Sequence, residues 1–511
     1  MSKEIVHASI KIDDQLSVDL DQLMEQNISH ASPFMKLFWK EQVKNFSQSS
    51  KRYHPMVIRF CLSMASKSGS MYDELRRSGI LCLPSKRTLR DYRNVIPPKT
   101  GFIPEVIDQL KKSTENLSGH QRYVCIAFDE MKISSGLVFD KHSGEIIGFT
   151  SLGDDDITEA FMGKENSLSS HALLFSVRGI SSHLCFPMAY FATDAITSTQ
   201  LIALFWRCVA IMELNCNLWV IATVCDGATA NRKFFSLHKS LDRNPTGSDV
   251  VYRTTNIFCR NRYIFFISDA PHLMKTARNC LLNSGSGNKA RCMWFNEQFL
   301  LWRHIADIYN KDLESGLKLL PRLSNAHIQL TSYSKMKVSL ACQVLSASVA
   351  NVLKNFSPKE CMATATFCEV YDKFFDCLNV RSLKEFQTKR KPYLAPYTSI
   401  NDERLLWLKE EFLKIFSDWK AAIESRQGNF SKLEKEKMFI SKQTHVGLQT
   451  TVLSVVECVK FLLSNGMPYV LTDCFNQDNV EEYFGQQRSI GRRCDNPTIQ
   501  QFGYNANVIR T

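Results

Sequence analysis

Three apolar stretches of strand-forming residues each end at an aspartate, and this repeated feature constrains the fold more than any other part of the sequence. The stretches YVCIAF, LWVIATVC and YIFFIS run into Asp129, Asp226 and Asp269. Burying a lone carboxylate is costly, so each aspartate is expected either to face solvent at the edge of a sheet or to hold a positively charged ligand. Because helical patterns follow the second and third stretches, the sequence predicts an α/β layer with acids at its strand ends.

Two of these acids have the residue type and position that a metal-dependent site needs. Asp129 and Asp226, with an acid on a late helix, suit Mg²⁺, which prefers carboxylate oxygens. Two such ions can activate a water or a 3′-hydroxyl and stabilise the leaving oxygen in phosphodiester chemistry. The late helix is NQDNVEEYFG, in which Asp478 and Glu481 share one face because they are three residues apart. Spacing leaves the choice between Glu481 and Glu482 open, although it leans towards Glu481.

The first hundred residues are helical in pattern and end in a basic segment. Residues 1–50 are predicted to form a polar tail with one helix around Pro33–Asn45, and residues 51–100 a helix-turn-helix module. In the last helix of this module, Leu89 and Tyr92 are expected to face inward. Its cations are Lys86, Arg87, Arg90 and Arg93. Three short helices ending in a basic one favour DNA contact over a merely solvated basic face.

The rest of the chain divides by pattern into a core and an insertion. Residues 115–275 are predicted to form the first part of the α/β core. Residues 276–455 are predicted to be long amphipathic helices, and residues 456–511 return to the core with the acidic helix. The formal net charge of +12 favours a polyanionic partner.

Composition excludes several classes of protein. None of the 17 cysteines forms a C-x-x-C pair, so zinc ribbons and fingers are not expected, and the odd count in a long chain argues for a reducing compartment. The N-terminus lacks the apolar segment of a signal peptide. No uninterrupted apolar run approaches the ~20 residues that span a bilayer, so no membrane partner is expected.

Several sequence blocks, in order, resemble P-element-type transposases, including their THAP-linked vertebrate relatives. The central blocks are AFDEMKI, FDKHSGEIIGF, CDGATANRKFF, DAPHLMKTARN and NQDNVEEYFG. KRYHPMVIRFCLSMASKS and LPSKRTLRDYRN precede them, and RRCDNPTIQQFGYN follows, so the resemblance runs from about residue 33 to the end. It implies an RNase H-like catalytic core interrupted by an all-α insertion domain, with Asp129, Asp226 and Glu481 as a DDE triad.

The resemblance also implies two cofactors. The triad would hold Mg²⁺ or Mn²⁺, and the insertion domain would bind GTP without hydrolysing it. The residues that match the nucleotide motifs of the family are Asp269, Lys275, Phe375, Asp376, Asn379 and Asp478. In such a site Lys275 can pair with a phosphate, Asp376 can accept the N–H donors of guanine, and Phe375 can stack on the base. The chain has no G-x-x-x-x-G-K-[ST] loop, so a P-loop is excluded.

The implied function is that of a DNA transposase: metal-dependent cleavage and strand transfer of DNA in the nucleus, by a homo-oligomer. The alternative is a domesticated, catalytically silent relative that binds DNA or oligomerises, and the presence of all three acids favours the enzyme. Members of the family usually begin with a zinc-coordinating THAP domain that reads the transposon end. No Cys/His pattern for such a domain is present near residue 1, so specific recognition of an end is expected to be missing.

Overall fold

The chain falls into two compact units. In this computed structural model the larger unit comprises Thr100–Leu137 and Gly148–Gly485, and the smaller one the described parts of Met1–Lys99, Val138–Ile147 and Gln486–Thr511. The predicted tail before residue 32 and residues 141–143 lie outside the described residues. The described residues are 32–46, 48, 50–93, 97–140, 144–162, 167–245, 247–285, 289–490 and 495–510.

Helices outnumber strands among the described elements. The strands are β1 (Tyr123–Lys132), β2 (Val138–Phe139), β3 (Ile146–Ile147), β4 (His171–Gly179), β5 (Cys185–Thr193), β6 (Trp219–Cys225), β7 (Arg253–Thr255), β8 (Tyr263–Ser268), β9 (Trp294–Phe295) and β10 (Gln298–Phe299). The first helices are α1 (Pro33–Phe46), α2 (Pro55–Lys67), α3 (Gly69–Arg77), α4 (Lys86–Arg93), α5 (Pro104–Ser113), α6 (Asp155–Met162), α7 (Ser198–Ala210), α8 (Thr229–Leu237) and α9 (Ala270–Leu282).

The remaining helices all follow β10. They are α10 (Trp302–Glu314), α11 (Asn325–Ile328), α12 (Ser332–Met336), α13 (Val338–Val344), α14 (Ala347–Phe356), α15 (Met362–Leu378), α16 (Glu385–Lys389), α17 (Glu403–Leu406), α18 (Leu413–Ser425), α19 (Lys432–Lys437), α20 (Lys442–Ser464), α21 (Asp478–Ile490) and α22 (Ile499–Arg510). Short 3₁₀ turns span Gly119–Arg122, Lys239–Leu241, Lys359–Cys361, Pro392–Leu394 and Thr472–Phe475, and π-helical turns span Ile211–Asn215 and Trp407–Phe412.

In the smaller unit, the three short helices expected within residues 51–100 are confirmed as α2, α3 and α4, and the earlier helix as α1. Leu89 of α4 is buried as expected, in a cluster with Val57 and Tyr72. The side-chain hydroxyl of Ser85 accepts the N–H of Thr88 at 3.0 Å, which fixes the start of α4. The expectation for Tyr92 is wrong, because its side chain is 53% exposed.

A six-stranded mixed sheet in the order β5-β4-β1-β6-β8-β7 forms the centre of the larger unit. The strands β1, β6 and β8 are parallel neighbours, and antiparallel strands flank them on both sides. Helix α7 lies in the connection from β1 to β6 and α8 in the connection from β6 to β8, as parallel pairing requires. The predicted α/β layer is therefore confirmed.

Both faces of this sheet are buried. Alternate side chains of a strand point to opposite faces. Val124, Ile126 and Phe128 of β1 pack with α5, α7 and α8, whereas Tyr123 and Cys125 pack with α9, α15 and α20. The helices of the insertion thus share one hydrophobic core with one face of the sheet.

Helix α20 lies against β8 and is the longest of the described helices. It has 23 residues and a mean hydropathy of 1.6, long and apolar enough by length and composition to cross a membrane, and 61% of its apolar window is buried. Its Thr451 hydroxyl donates to the carbonyl of Ser268 at 2.7 Å, and its Ser454 hydroxyl donates to the carbonyl of Phe266. These contacts are those of a core helix. Polar residues divide the sequence of α20, so it is not an uninterrupted apolar run.

The predicted limits of the insertion fall inside helices. Helix α9 continues through residues 275 and 276, and α20 through residues 455 and 456. An amphipathic pattern cannot mark a boundary where one helix passes from the core into the insertion. The domain limits proposed from the sequence therefore stay predictions.

Candidate active site

Three aspartates lie level with one another at three neighbouring strands. Asp226 and Asp269 directly follow β6 and β8, as predicted. The prediction that Asp129 ends its strand is wrong, because β1 continues to Lys132 through its antiparallel pairing with β4. The last pair of β1 with β6, Ala127 with Val224, stands two residues before Asp129 and Asp226, so these two acids are level. The register of β6 with β8 likewise puts Asp226 beside Asp269. Adjacent strands are ~4.8 Å apart, so the carboxylates follow one another along a single edge of the sheet.

The Asp129 carboxyl is mostly buried among other acids. Its pKa is raised to about 7, first by burial and next by the charge of Asp226, and Glu481 and Asp269 raise it further. The N–H of Glu130, which donates to Oδ1 of Asp129 at 2.8 Å, opposes this shift. A nearby cation would favour the charged form of Asp129. The four acids thus form one electrostatic cluster.

The Asp226 carboxylate is oriented by the start of α8. Its Oδ1 accepts the N–H of Ala228 at 2.9 Å and the side-chain amide of Asn231 at 2.7 Å. In the part of the chain that the structure describes, no hydrogen bond involves its Oδ2. One oxygen is therefore fixed by the protein and the other remains for a ligand.

The Asp269 carboxylate uses both of its oxygens. Oδ2 caps α9 by accepting the N–H of His272 at 2.8 Å, and Oδ1 accepts the N–H of Gln477 at 3.0 Å. Asp269 is only 2% exposed, and burial raises its pKa to about 7 against the effect of these hydrogen bonds. Asp269 therefore links the end of β8 to the starts of α9 and α21, and its assignment to a nucleotide site stays a prediction.

Gln477 fastens the start of α21 to the edge of the sheet. Besides the bond from its N–H to Asp269, its side-chain amide donates to the carbonyl oxygen of Phe128 at 2.9 Å. Its own carbonyl accepts the N–H of Glu481 at 3.0 Å. These bonds hold the first turn of α21 over the ends of β1 and β8. Sequence reasoning missed Gln477, because Phe128 lies 349 positions away and leaves no local signal.

The structure places Glu481 on the side of the strand-end acids. Its side chain is 53% exposed, with Oε1 at 3.7 Å from Nζ of Lys275. Its charge raises the pKa of both Asp129 and Asp269. Glu482 instead contributes to raising the pKa of Cys185, after burial. Of the two glutamates that spacing left open, Glu481 is the one near the cluster, and its role as a metal ligand stays a prediction.

The donor set suits a hard divalent cation. Among the described residues, no group of three or more His, Cys, Asp or Glu side chains is arranged as a ready metal site. The acids nevertheless offer only carboxylate oxygens, and Asp226 keeps one oxygen outside the described hydrogen bonds. The raised pKa of Asp129 has neighbouring acids among its causes, which a bound cation would offset.

The predicted nucleotide residues on α15 are held by other side chains. Asp376 is 7% exposed, and its Oδ2 lies 2.8 Å from Nζ of Lys391. Burial is the main cause that raises the pKa of Asp376 to about 6. Lys391 also pairs with Asp372 at 3.1 Å, and Phe375 is partly buried against the hydrophobic core. Sequence reasoning missed Lys391 and Asp372.

Arg381, also missed from the sequence, joins the end of α15 to the start of α21. Its Nε donates to Oδ1 of Asn379 at 3.2 Å and lies 3.2 Å from Oδ1 of Asp473. Its Nη2 lies 3.2 Å from Oδ2 of Asp478. The other oxygen of Asp473 pairs with Arg178 of β4 at 2.7 Å. A chain of charged groups therefore connects two predicted nucleotide residues, Asn379 and Asp478, with the sheet.

The basic helix α4 of the smaller unit does not present its four cations equally. Lys86 is paired with Asp73. Burial, and next the charge of Arg90, lowers the pKa of Arg93, whose Nε is buried without a hydrogen-bond partner. Arg87 and Arg90 are exposed. The predicted DNA contact therefore depends mainly on these two arginines.

Two family models match the chain in the order that the sequence predicted. The model of the TNP-like RNase H N-terminal domain matches residues 98–239, and the model of the TNP-like GTP-binding insertion domain matches residues 271–391. The second match begins within α9, two residues after Asp269.

Two curated proteins and one solved structure are similar along most of the chain. Transposable element P transposase of Drosophila melanogaster is 24% identical over 486 residues, 92% of this chain and 56% of that protein. DNA transposase THAP9 of Homo sapiens is 24% identical over 481 residues, 91% of this chain and 49% of that protein. The chain thus spans about half the length of these curated relatives.

The solved structure is described as the Drosophila P element transposase strand transfer complex. It has a TM-score of 0.74 and 22% identity, over 96% of this chain and 98% of that chain, and therefore shows a shared fold. The two domain models match in order, and the sheet and insertion agree with them. The chain therefore belongs to the P-element-type transposase family and consists of an RNase H-like core with an insertion domain.

Proposed function

We propose that this chain is the catalytic region of a DNA transposase that cleaves and joins DNA strands, with divalent metal ions held by Asp129, Asp226 and Glu481. One observation carries the proposal: Asp129 and Asp226 are level on neighbouring parallel strands, and Glu481 lies on a helix fastened over the same edge by Gln477. Three carboxylates from rigid elements are the protein's share of a two-metal phosphodiester site.

Each residue of this site has a part that follows from its surroundings. Bound divalent ions would supply activation of the attacking oxygen and stabilisation of the leaving oxygen. Asp129 and Asp226 bind from the sheet, and Asn231 orients Asp226 by its bond to Oδ1. Glu481 binds from α21 and reaches the cluster from the solvent side, where DNA phosphate completes the site. Water attacks the first strand, and the freed 3′-hydroxyl then attacks target DNA.

GTP is the second cofactor in this proposal, bound in the insertion domain and not hydrolysed. The match to the GTP-binding insertion model supports it. Lys275 is assigned to a phosphate, Phe375 to stacking on the base, and Asp376 to the N–H donors of guanine. Asn379 is assigned to the nucleotide as a further contact. Since Lys391 pairs with Asp376 at 2.8 Å, guanine has to compete with Lys391 for this carboxylate.

The remaining parts of the proposal concern partners and location. DNA is the substrate, and the net charge of +12 favours its phosphates. Arg87 and Arg90, exposed on α4, are assigned to contacts with the backbone of DNA, which position a protein without reading sequence. The active form is proposed to be a homo-oligomer that works in the nucleus, where genomic DNA lies.

Nicking of supercoiled plasmid DNA with and without Mg²⁺ tests the catalytic assignment. Wild-type protein is expected to nick only with the metal. Asp129→Ala and Glu481→Gln are expected to lose roughly 10²-fold or more of this activity, the scale for losing a group that stabilises the transition state. Glu482→Gln is the matched control, since it removes a neighbouring charge from the same helix. If Glu482→Gln abolishes nicking while Glu481→Gln is silent, the third ligand is misassigned.

The second candidate is a catalytically silent relative that binds DNA. The contact of Lys275 with Glu481 at 3.7 Å favours it, because an ammonium group there neutralises the third acid without any metal. A silent relative would shift DNA in a gel, yet its metal-dependent nicking would not exceed that of Asp129→Ala. The same set of variants therefore separates the two candidates.

A further inference from the structure

The segment that leads into α21 is held by arginines from two directions. Arg178 of β4 donates to the backbone carbonyl of Asp473 at 2.7 Å and pairs with its carboxylate at 2.7 Å. Arg381 contacts Asp473 and Asp478 from the side of the insertion, each at 3.2 Å. Glu481 stands three residues after Asp478 on the same helix, so these contacts fix the part of α21 from which Glu481 projects.

The two arginines differ in how firmly they are held. The Arg178 side chain is 24% exposed and that of Arg381 is 50% exposed. Arg178 also donates to the side-chain oxygen of Asn476 at 3.1 Å, which makes it a fixed link between β4 and the helix start. The Arg381 guanidinium is open to solvent and able to change partners.

The Nε–H group of Arg381 is shared between a residue of the insertion and a residue of the segment before α21. Its Nε lies 3.2 Å from Oδ1 of Asn379 and 3.2 Å from Oδ1 of Asp473. The backbone makes a second connection, because the N–H of Asp473 donates to the carbonyl of Val380 at 3.1 Å. A shift at the end of α15 therefore reaches Asp473 through both the backbone and the guanidinium.

We propose that Arg381 is a positioning residue that couples nucleotide binding in the insertion domain to the placement of Glu481. The proposal rests on the proposed function, which assigns Asn379 to the nucleotide. A nucleotide that takes the amide of Asn379 leaves Nε of Arg381 to Asp473 alone. Nε of Arg381 then bonds to Asp473 alone, and Nη2 still contacts Asp478. These charge-assisted contacts then hold the start of α21 more firmly.

The expected coupling is modest. Ion pairs of a half-exposed arginine are screened by solvent and are individually weak. Two pairs that act on one helix turn should nevertheless change an equilibrium by roughly three- to tenfold, the lower end of typical coupling between sites. We therefore expect Arg381 to affect how far GTP lowers the Mn²⁺ concentration needed for nicking. We do not expect it to decide whether GTP binds.

The experiment uses the full chain and two titrations. GTP affinity is measured by fluorescence of a labelled GTP analogue, and plasmid nicking is measured against Mn²⁺ concentration with and without GTP. In wild-type protein GTP is expected to lower the Mn²⁺ concentration for half-maximal nicking. Arg381→Ala should bind GTP within about threefold of wild type and lose most of this GTP effect. Arg381→Lys should recover part of it, because lysine keeps the charge without the forked geometry.

Lys384→Ala is the matched control, since it removes an exposed cation three residues along the same segment. It should behave as wild type. A full GTP effect on Mn²⁺ use in Arg381→Ala would overturn the proposal. So would a GTP affinity more than tenfold weaker together with normal nicking at saturating GTP, which would make Arg381 a simple ligand.

Three further outcomes are distinguishable from these. If Arg381→Ala does not fold, Arg381→Gln removes the charge with less loss of bulk and is judged by the same two titrations. If wild-type protein neither nicks DNA with Mn²⁺ nor binds the GTP analogue, the proposed function fails before any variant is compared. If wild type does both but GTP leaves Mn²⁺ use unchanged, the coupling alone is refuted.

Discussion

Replacing Asp129 with asparagine is expected to stabilise the metal-free protein while abolishing strand cleavage. Burial first, and the charge of Asp226 second, raise the pKa of the Asp129 carboxyl from its ordinary 3.8 to about 7. The unfolded chain solvates the carboxylate fully and the folded chain does not, so the charged form opposes folding. Asparagine has nearly the same shape and no charge, so it removes this cost.

The magnitude follows from the size of the pKa shift. About three pKa units correspond to about 4 kcal/mol at ~1.4 kcal/mol per unit. Because Asp129 keeps some contact with solvent and its acidic neighbours can rearrange, half of this, about 2 kcal/mol, is the expected gain at pH 8.

The sign of the pH dependence is set by proton linkage. The folded state binds the proton of Asp129 more tightly than the unfolded state does. Below pH 3.8 the carboxyl is protonated in both states and does not destabilise the folded protein. Stability then falls as the pH rises, and the full penalty is present above the folded pKa of about 7. The gain from asparagine should therefore be less than half as large at pH 5 as at pH 8.

Urea unfolding in EDTA, followed by tryptophan fluorescence at pH 5 and pH 8, measures this gain. Asp108→Asn, a change at an exposed acid of α5, is the control and should shift the midpoint little at either pH. Mg²⁺ should raise the midpoint of wild type more than that of Asp129→Asn, because binding to the folded state stabilises it. If Asp129→Asn is less stable than wild type at both pH values, or its gain does not depend on pH, the burial argument is refuted.

Two other changes test the packing around the site. A Cβ on Gly447 of α20 would lie 2.7 Å from Cδ2 of Leu273, so Gly447→Val should destabilise the protein by about 1–3 kcal/mol in thermal unfolding, and an unchanged melting temperature would contradict the close packing. Gln477→Ala removes the donor to the carbonyl of Phe128 and should cost about 1–3 kcal/mol. It should also raise the Mn²⁺ concentration needed for nicking, and an unaltered titration curve would mean that this link does not position α21.

The strand-end acids could be predicted because each depends on a short local pattern and on one topological rule. An apolar stretch that stops at Asp129 or Asp226 indicates a buried strand, and parallel layering brings such ends to one edge. The contacts that hold the helix of Glu481 at this edge could not be predicted from any local sequence pattern. Gln477 and Phe128 are 349 positions apart, and Arg178 and Asp473 are 295 apart, so their pairing depends on the complete fold.

Asp269 shows how one local sequence is compatible with two roles. A strand followed by Asp-Ala-Pro is a normal start for a helix, with the aspartate as cap and proline in the first turn. The same letters match the nucleotide motif of the family, and local pattern cannot separate the two. A distant contact decides the observed geometry. Oδ2 of Asp269 caps the helix, and Oδ1 accepts the N–H of Gln477, which is 208 positions away.

The order of elements along the chain divides the proposed triad into a fixed pair and a movable member. Asp129 lies in β1 and Asp226 directly follows β6, in a sheet buried on both faces, whereas Glu481 lies on α21, which the chain reaches only after the whole insertion. The insertion begins in α9, whose Lys275 contacts Glu481, and the end of α15 contacts the segment before α21 through Arg381. A rearrangement of the insertion therefore moves Glu481 relative to the sheet more readily than it moves either aspartate. Regulation by a nucleotide is accordingly expected to change how Glu481 completes the metal site and to leave the spacing of Asp129 and Asp226 unchanged.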